Sequence, residues 1–273
     1  MLRDELLNTL IQELLAENPA RLRASLPPQL VTEQRSLLRA LMNIRPALPI
    51  RPELLEIQDR LLSAERETKS ISYPDRLPTV REQFGITGIP AAERLVLWKG
   101  DITTLAADAI VNTANAKLLG CFIPLHGCID NAIHSAAGIQ LRLDCDEIMQ
   151  RQGFDEPTGQ AKITRGYNLP ARYVLHTVGP IIHSAVQETD RRLLSSCYTA
   201  CLEAAAEHED IHSVAFCCIS TGEFHFPKVL AAQIAVQTVT NWLAGANKQI
   251  ERVIFNIFTQ EDLKIYADLF RKN

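Results

Sequence analysis

The sequence predicts an α/β fold, a largely parallel or mixed sheet held between helices, with a purely helical stretch ahead of it. Three observations predict it. From Glu93 onward, short apolar runs of strand length alternate with helical patterns, as they do where strands are buried on both faces by crossover helices. Ahead of that point the leucines recur only at helical spacing. The polar residues with chemistry to offer stand just after the apolar runs, where open α/β sheets hold their ligands.

Taken in order, Leu6, Leu7, Leu10, Ile11, Leu14 and Leu15 mark a first helix, and Leu37, Leu38, Leu41 and Met42 a second. A third is expected over 52–67, with Pro52 in its first turn. Pro27, Pro28, Pro46 and Pro49 punctuate these helices. Residues 1–80 therefore form a helical N-terminal extension, 90–273 the α/β unit, and 72–90, with Pro74, Pro78 and Gly85, the join. Strands are predicted over 94–98, 109–113, 173–178, 213–219 and 252–258. Helices are predicted near 128–138, 140–152, 189–208 and 228–243. A last helix, 260–271, is announced by Thr259 and Asp262 at capping-box spacing.

Composition bounds the function. At 273 residues the chain can bury one large core or one core plus an appendage. Its 47% hydrophobic and 22% charged residues are those of a soluble globular protein. A net charge of -4 gives no general attraction to nucleic acid or to an anionic membrane, and neither is expected as a partner. The charged residues within Met1 to Leu7 make a poor signal peptide, and no apolar run reaches membrane-span length. Seven cysteines, an odd and scattered set, point to reduced thiols and a cytoplasmic location.

The densest chemistry lies in 120–131, where Cys121, His126 and Cys128 fall within eight residues. Thiolate and imidazole are zinc's preferred ligands, and three of them leave one tetrahedral position open. The same residues also read as two small buried thiols and a satisfied histidine. Ser220, Thr221, Gly222, Glu223 and Phe224 follow an apolar strand and precede a helix, so their backbone N–H groups could meet a phosphate. An ordinary strand-to-helix turn has the same sequence. Asp101 reads as a helix cap or as an acceptor for an exocyclic amine, and Asn112 and Asn115 as turn residues or as sugar-orienting amides. His208 to His212 formally matches HExxH, but a strand should start at Ser213, so the two histidines would not share a helix. Cys197, Cys201, Cys217 and Cys218 read as core. No GxGxxG, Walker loop, GxSxG elbow or zinc-deaminase signature is present.

Together, Gly100 to Thr103, Asp108 to Asn115, Asp130 to His134 and Ile219 to Gly222 with Phe226-Pro227 resemble the macrodomain, a three-layer α/β/α module that binds ADP-ribose. Where hydrolytic macrodomains carry a run of glycines, this chain has Gly120 to Cys128, which is similar to the zinc-dependent class. That class also has a helical extension. The resemblance implies a zinc-dependent protein-ADP-ribose hydrolase that removes mono-ADP-ribose from Asp or Glu side chains. Its modified acceptor protein could be lipoyl-carrier-like and modified by a sirtuin-type transferase. By the resemblance, Asp101, beside Ile102, accepts from the adenine amine and Phe258 stacks on the base. Ser220 to Phe224 cradle the diphosphate, Asn112 and Asn115 serve the distal ribose, and Cys121, His126 and Cys128 hold Zn2+. Asn115 and Asp130 stand nearest the chemistry, while Asn131 replaces a small residue usual in the family. Three alternatives stay open: a non-catalytic ADP-ribose reader, a hydrolase of a small ADP-ribose derivative, and a structural zinc closed by His225 or Cys217.

Overall fold

Continuous apolar runs become the central strands because both of their faces are covered. In the computed structural model, which describes residues 3–17, 33–86, 88–245 and 249–272, six strands form one sheet. They are β1 (Leu95–Lys99), β2 (Ala109–Thr113), β3 (Ala161–Arg165), β4 (Tyr173–Thr177), β5 (Ser213–Phe216) and β6 (Arg252–Ile257), in the order β1-β6-β5-β2-β4-β3. Every pairing is parallel except that of the edge strand β3 with β4. The four residues of β5 and the first four of β2 are fully buried, as the apolar runs predict.

Helices α5 (Ile129–Ala137), α6 (Ile139–Gln152), α7 (Glu188–Ala206), α8 (Lys228–Ala244) and α9 (Gln260–Arg271) flank the sheet. Tyr198, Phe216, Phe226, Phe255 and Phe270 fill the core between the layers. The α/β unit is preceded by α1 (Arg3–Glu17), α2 (Gln34–Ile44) and α3 (Pro52–Glu67). These helices bury Leu6, Leu10, Leu14, Leu38, Leu41 and Leu61 in a core of their own, into which Ile139 of α6 reaches. The Pro27-Pro28 break lies outside the described residues.

Three features differ from the sequence expectations. β3 was not anticipated: it is a five-residue edge strand with Lys162 and Arg165 in it, and only Thr164 is fully buried, so its apolar pattern is thin. β5 ends at Phe216, three residues before the predicted end. Its ladder to β2 stops at Ile110, and the chain then turns toward the strand ends, with Ser220 at φ +63°. The join is packed: it holds the short helix α4 (Val80–Phe84), and Ser72 and Thr79 bridge to Leu105 and Val96. Helix α7 ends at Ala206, so His208 and His212 lie beyond it, as expected.

Candidate active site

The carboxyl ends of β1, β2, β5 and β6 bring together segments far apart in sequence. After β2, Asn115 makes a tight turn: its Oδ1 accepts from the Lys117 N–H at 3.0 Å and its Nδ2 donates to the Gly120 carbonyl at 3.1 Å. Gly120 sits at φ +78° with its Cα against the His134 ring, where a side chain would collide at 2.9 Å. The loop then runs out and returns so that Cys121 Sγ, His126 and Cys128 Sγ converge within 4.8 Å of one another. Cys121 Sγ lies 3.6 Å from His126 Nδ1.

This donor set fits zinc. Cys128 caps α5, with its Sγ accepting from the Asn131 N–H at 3.4 Å. A helix N-terminus favours a thiolate, yet burial prevails and, with the Cys121 and Asp130 charges, pushes the Cys128 thiol up to about 12. Two thiols converging on an imidazole whose other nitrogen faces a carboxylate are the donor types of a thiolate–imidazole metal site. That carboxylate is Glu223, whose Oε1 lies 3.7 Å from His126 Nε2. Neither His225 nor Cys217 belongs to the cluster, and Cys217 Sγ instead meets Thr113 Oγ1 at 3.1 Å.

Behind the loop, Asp130 is buried at the start of α5. Asn112 Nδ2 donates to Asp130 Oδ1 at 2.8 Å and approaches His176 Nδ1 at 3.2 Å, so this amide faces inward. Burial raises Asp130 to about 6 against the pull of Asn112 and Arg142. His134 Nε2 stands 3.5 Å from Asp130 Oδ1, and neither His134 nitrogen has a hydrogen-bond partner. Burial, with His176 and Arg142 nearby, holds this imidazole well below its ordinary range, hence neutral. His134, Cys145 and His176 form a second convergent set. There the Thr164 hydroxyl lies 2.9 Å from His176 Nε2 and burial holds that ring at about 3, so the set reads as core.

Across the cleft, Thr221 N–H and Oγ1 both bond the Cys218 carbonyl, and the Phe226 N–H bonds the Ser220 carbonyl. Among the described residues no acceptor takes the N–H groups of Gly222, Glu223 and Phe224. Space is open above Gly222, and the buried Ser220 Oγ has no partner. A turn of unpaired donors facing open space suits an anion. At the far end Asp101 Oδ1 caps a short 3-10 turn through the Thr103 N–H and hydroxyl, with Ile102 buried beside it. Phe258, 76% exposed where β6 ends, leaves its ring face free.

Sequence reasoning missed the residues that hold the Cys121 to Cys128 loop from elsewhere: Arg39 and Asn43 of α2, Arg142 of α6, and Asn131 of α5, which links Arg39 to the Ile123 carbonyl. Of these only Asn131, as a departure from the family pattern, gave any signal.

Residues 111–235 match the family model described as "Macro domain". The chain is 48% identical over 261 residues to a "Protein-ADP-ribose hydrolase" of Treponema medium, covering 95% of this chain and 96% of the relative. It is 48% identical over 238 residues to a protein of the same name from Staphylococcus aureus (strain MSSA476), covering 87% and 85%. A Trypanosoma brucei macrodomain solved in complex with ADP-ribose is similar at a TM-score of 0.64 and 28% identity, over 84% of this chain and 94% of that one. The fold, the strand-end cleft and these relatives agree: the chain belongs to the macrodomain family.

Proposed function

We propose that this protein is a zinc-dependent protein-ADP-ribose hydrolase that removes mono-ADP-ribose from acidic side chains of a modified protein. That it is a hydrolase follows from relatives named protein-ADP-ribose hydrolase; the metal and the linkage are the proposed parts. One observation carries them: the thiol–imidazole cluster and the turn of free N–H groups meet across one cleft, through Glu223 and His126 at 3.7 Å. A diphosphate held by the N–H groups of Gly222, Glu223 and Phe224 would thus extend its distal ribose toward Cys121, His126 and Cys128.

In this reading Asp101, with Ile102, meets the adenine amine and Phe258 covers the base. Ser220 and Thr221 shape the diphosphate turn. The Asn115 amide, pinned by Gly120 and Lys117, keeps one N–H for the distal ribose. Asn112 acts from behind, orienting Asp130, whose charge lies under the loop. Cys121, His126 and Cys128 would hold Zn2+, which when bound supplies a Lewis acid next to the ribose. Anchoring at the diphosphate fixes the scissile linkage at that end. The acceptor could be a lipoyl-carrier-like protein modified by a sirtuin-type transferase, met in the cytoplasm. No described helix is long and apolar enough to cross a membrane.

The test is metal analysis joined to hydrolysis of an Asp- or Glu-linked ADP-ribosyl protein. One zinc per chain is expected, with release stopped by a chelator and restored by zinc. Full turnover by a metal-free triple alanine variant at Cys121, His126 and Cys128 would overturn the scheme. Tight ADP-ribose binding with no release would mark a reader instead.

A further inference from the structure

We propose that helix α2 of the N-terminal extension is a working part of the metal site, with Arg39 and Asn43 as positioning residues for the loop that carries Cys121, His126 and Cys128. The inference rests on the zinc reading above for its consequence, and on loop geometry for its substance.

The loop contributes few backbone hydrogen bonds of its own. Among the described residues, between Cys121 and Cys128 only the His126 N–H bonds a carbonyl within the loop, that of Ile123 at 3.2 Å. The Leu125 N–H and the Ile123 and His126 carbonyls are met by side chains from outside the loop. The Leu125 N–H donates to Asn43 Oδ1 at 3.0 Å, and Asn43 Nδ2 donates to Ser135 Oγ at 2.9 Å, fixing the amide's orientation. Leu125 sits at φ +55°, a region a branched side chain occupies only where its surroundings impose it. Arg39 donates to Asn131 Oδ1 at 2.7 and 3.2 Å and to the His126 carbonyl at 3.4 Å. Asn131 Nδ2 in turn donates to the Ile123 carbonyl at 3.0 Å.

Both metal ligands at the loop's far end are thus tethered. His126 is held through its own carbonyl, and Cys128 through the Asn131 N–H on its sulfur. Arg39 has no carboxylate within ion-pair distance among the described residues, although it is half-buried. Its donors are met instead by Asn131 Oδ1 at the start of α5 and by the His126 carbonyl of the loop, so the cation spans the loop's return into the helix. Partners of this kind around metal ligands change affinity about 10- to 100-fold when removed.

The experiment compares the full-length protein with Arg39→Met, Arg39→Lys and Asn43→Ala. Thermal melting and ADP binding, a probe without the distal ribose, check that each variant is folded. Amide hydrogen exchange over 119–131 in metal-free protein reads the brace directly. It should speed by about 10-fold or more in Arg39→Met and Asn43→Ala, and less in Arg39→Lys, while β2 and β4 stay protected. Zinc release to excess chelator should quicken about 10-fold in the same order. Unchanged loop exchange and zinc release in the folded variants would overturn the proposal. So would a general loss of protection in Arg39→Met with no selective loop effect in the other two. A wild-type protein that takes up no zinc would sink the functional reading by itself, and loop exchange would still decide the brace.

Discussion

Asp130 places a carboxylate in the interior, where among the described residues the Asn112 amide is its one side-chain hydrogen-bond donor, the neighbouring His134 is neutral, and the Arg142 charge opposes the effect of burial. Because burial raises it from 3.8 to about 6, the native state holds this proton more firmly than the unfolded chain does. The sign follows: Asp130 costs nothing below pH 4, and its penalty grows as pH rises and is complete above pH 6, at about 3 kcal/mol. In metal-free protein, Asp130→Asn keeps an acceptor for Asn112 without the charge. It should therefore be more stable than the wild type at pH 8 by up to about 3 kcal/mol, with about half of that gain left at pH 5. Urea denaturation at the two pH values measures it, and a gain independent of pH would show that the charge is not the cause. Glu223 raises a second residue-level expectation. Its carboxylate can draw the proton of His126 Nε2 and orient the ring, leaving Nδ1 toward Cys121. The side chain is largely exposed, so its effect should be modest. Glu223→Gln should release zinc several-fold faster than the wild type in a chelator competition, with ADP binding unchanged.

At the scale of elements, local signals that name a boundary were legible and tertiary ones were not. Thr259 and Asp262 stand where the capping pattern places them: the Thr259 hydroxyl accepts from the Asp262 N–H at 3.1 Å and donates to its carboxylate. Thr259→Ala should lower the unfolding free energy by about 1 kcal/mol, and Thr259→Ser by a few tenths, as read from urea midpoints. Zinc content should not change, since α9 contributes nothing to the metal loop. β1, β2, β4, β5 and β6 were legible because helices cover both faces, leaving unbroken apolar runs. The edge strand β3 mixes Lys162 and Arg165 with Ile163 and buries only Thr164 fully, so its period is lost in five residues. β5 overshot because Cys217 to Ile219 stay apolar while the chain leaves the ladder. The convergence of Cys121, His126 and Cys128 could be read from sequence because their spacing is local. Their supports could not. Arg39 and Asn131 are 92 positions apart, as are Asn43 and Ser135, and only the docking of α2 on α5 brings them together.

The extension and the α/β unit share more than one seam. Gln58 of α3 bonds Gln140 at 2.7 Å and accepts from the Ile139 N–H at 2.9 Å, close enough to Gly138 that a side chain there would collide at 2.5 Å. Asp59 takes the amides of Gln140 and Asn168, and Arg66 bonds the Asn168 carbonyl. Arg142 reaches the other way, from α6 to the carbonyls of Met42 at 2.9 Å, Arg45 and Leu119 at 2.6 Å, with its guanidinium 4.3 Å from the Phe122 ring centre. One buried cation thus ties the end of α2 to both sides of Cys121. Linkage then demands reciprocity: if α2 holds the loop in its metal-binding shape, metal in the loop must hold α2 in place by the same free energy. Zinc added to chelator-treated protein should therefore slow amide exchange over 34–44 as well as over 119–131, while α9, which touches neither, keeps its rates. The gain at saturation follows the free zinc concentration over its dissociation constant, about 4 kcal/mol at a thousandfold excess, shared by every segment that opens with the loop. Protection confined to 119–131 would mean that α2 only rests against the loop, and that the extension's place in the molecule must be sought on its outer face.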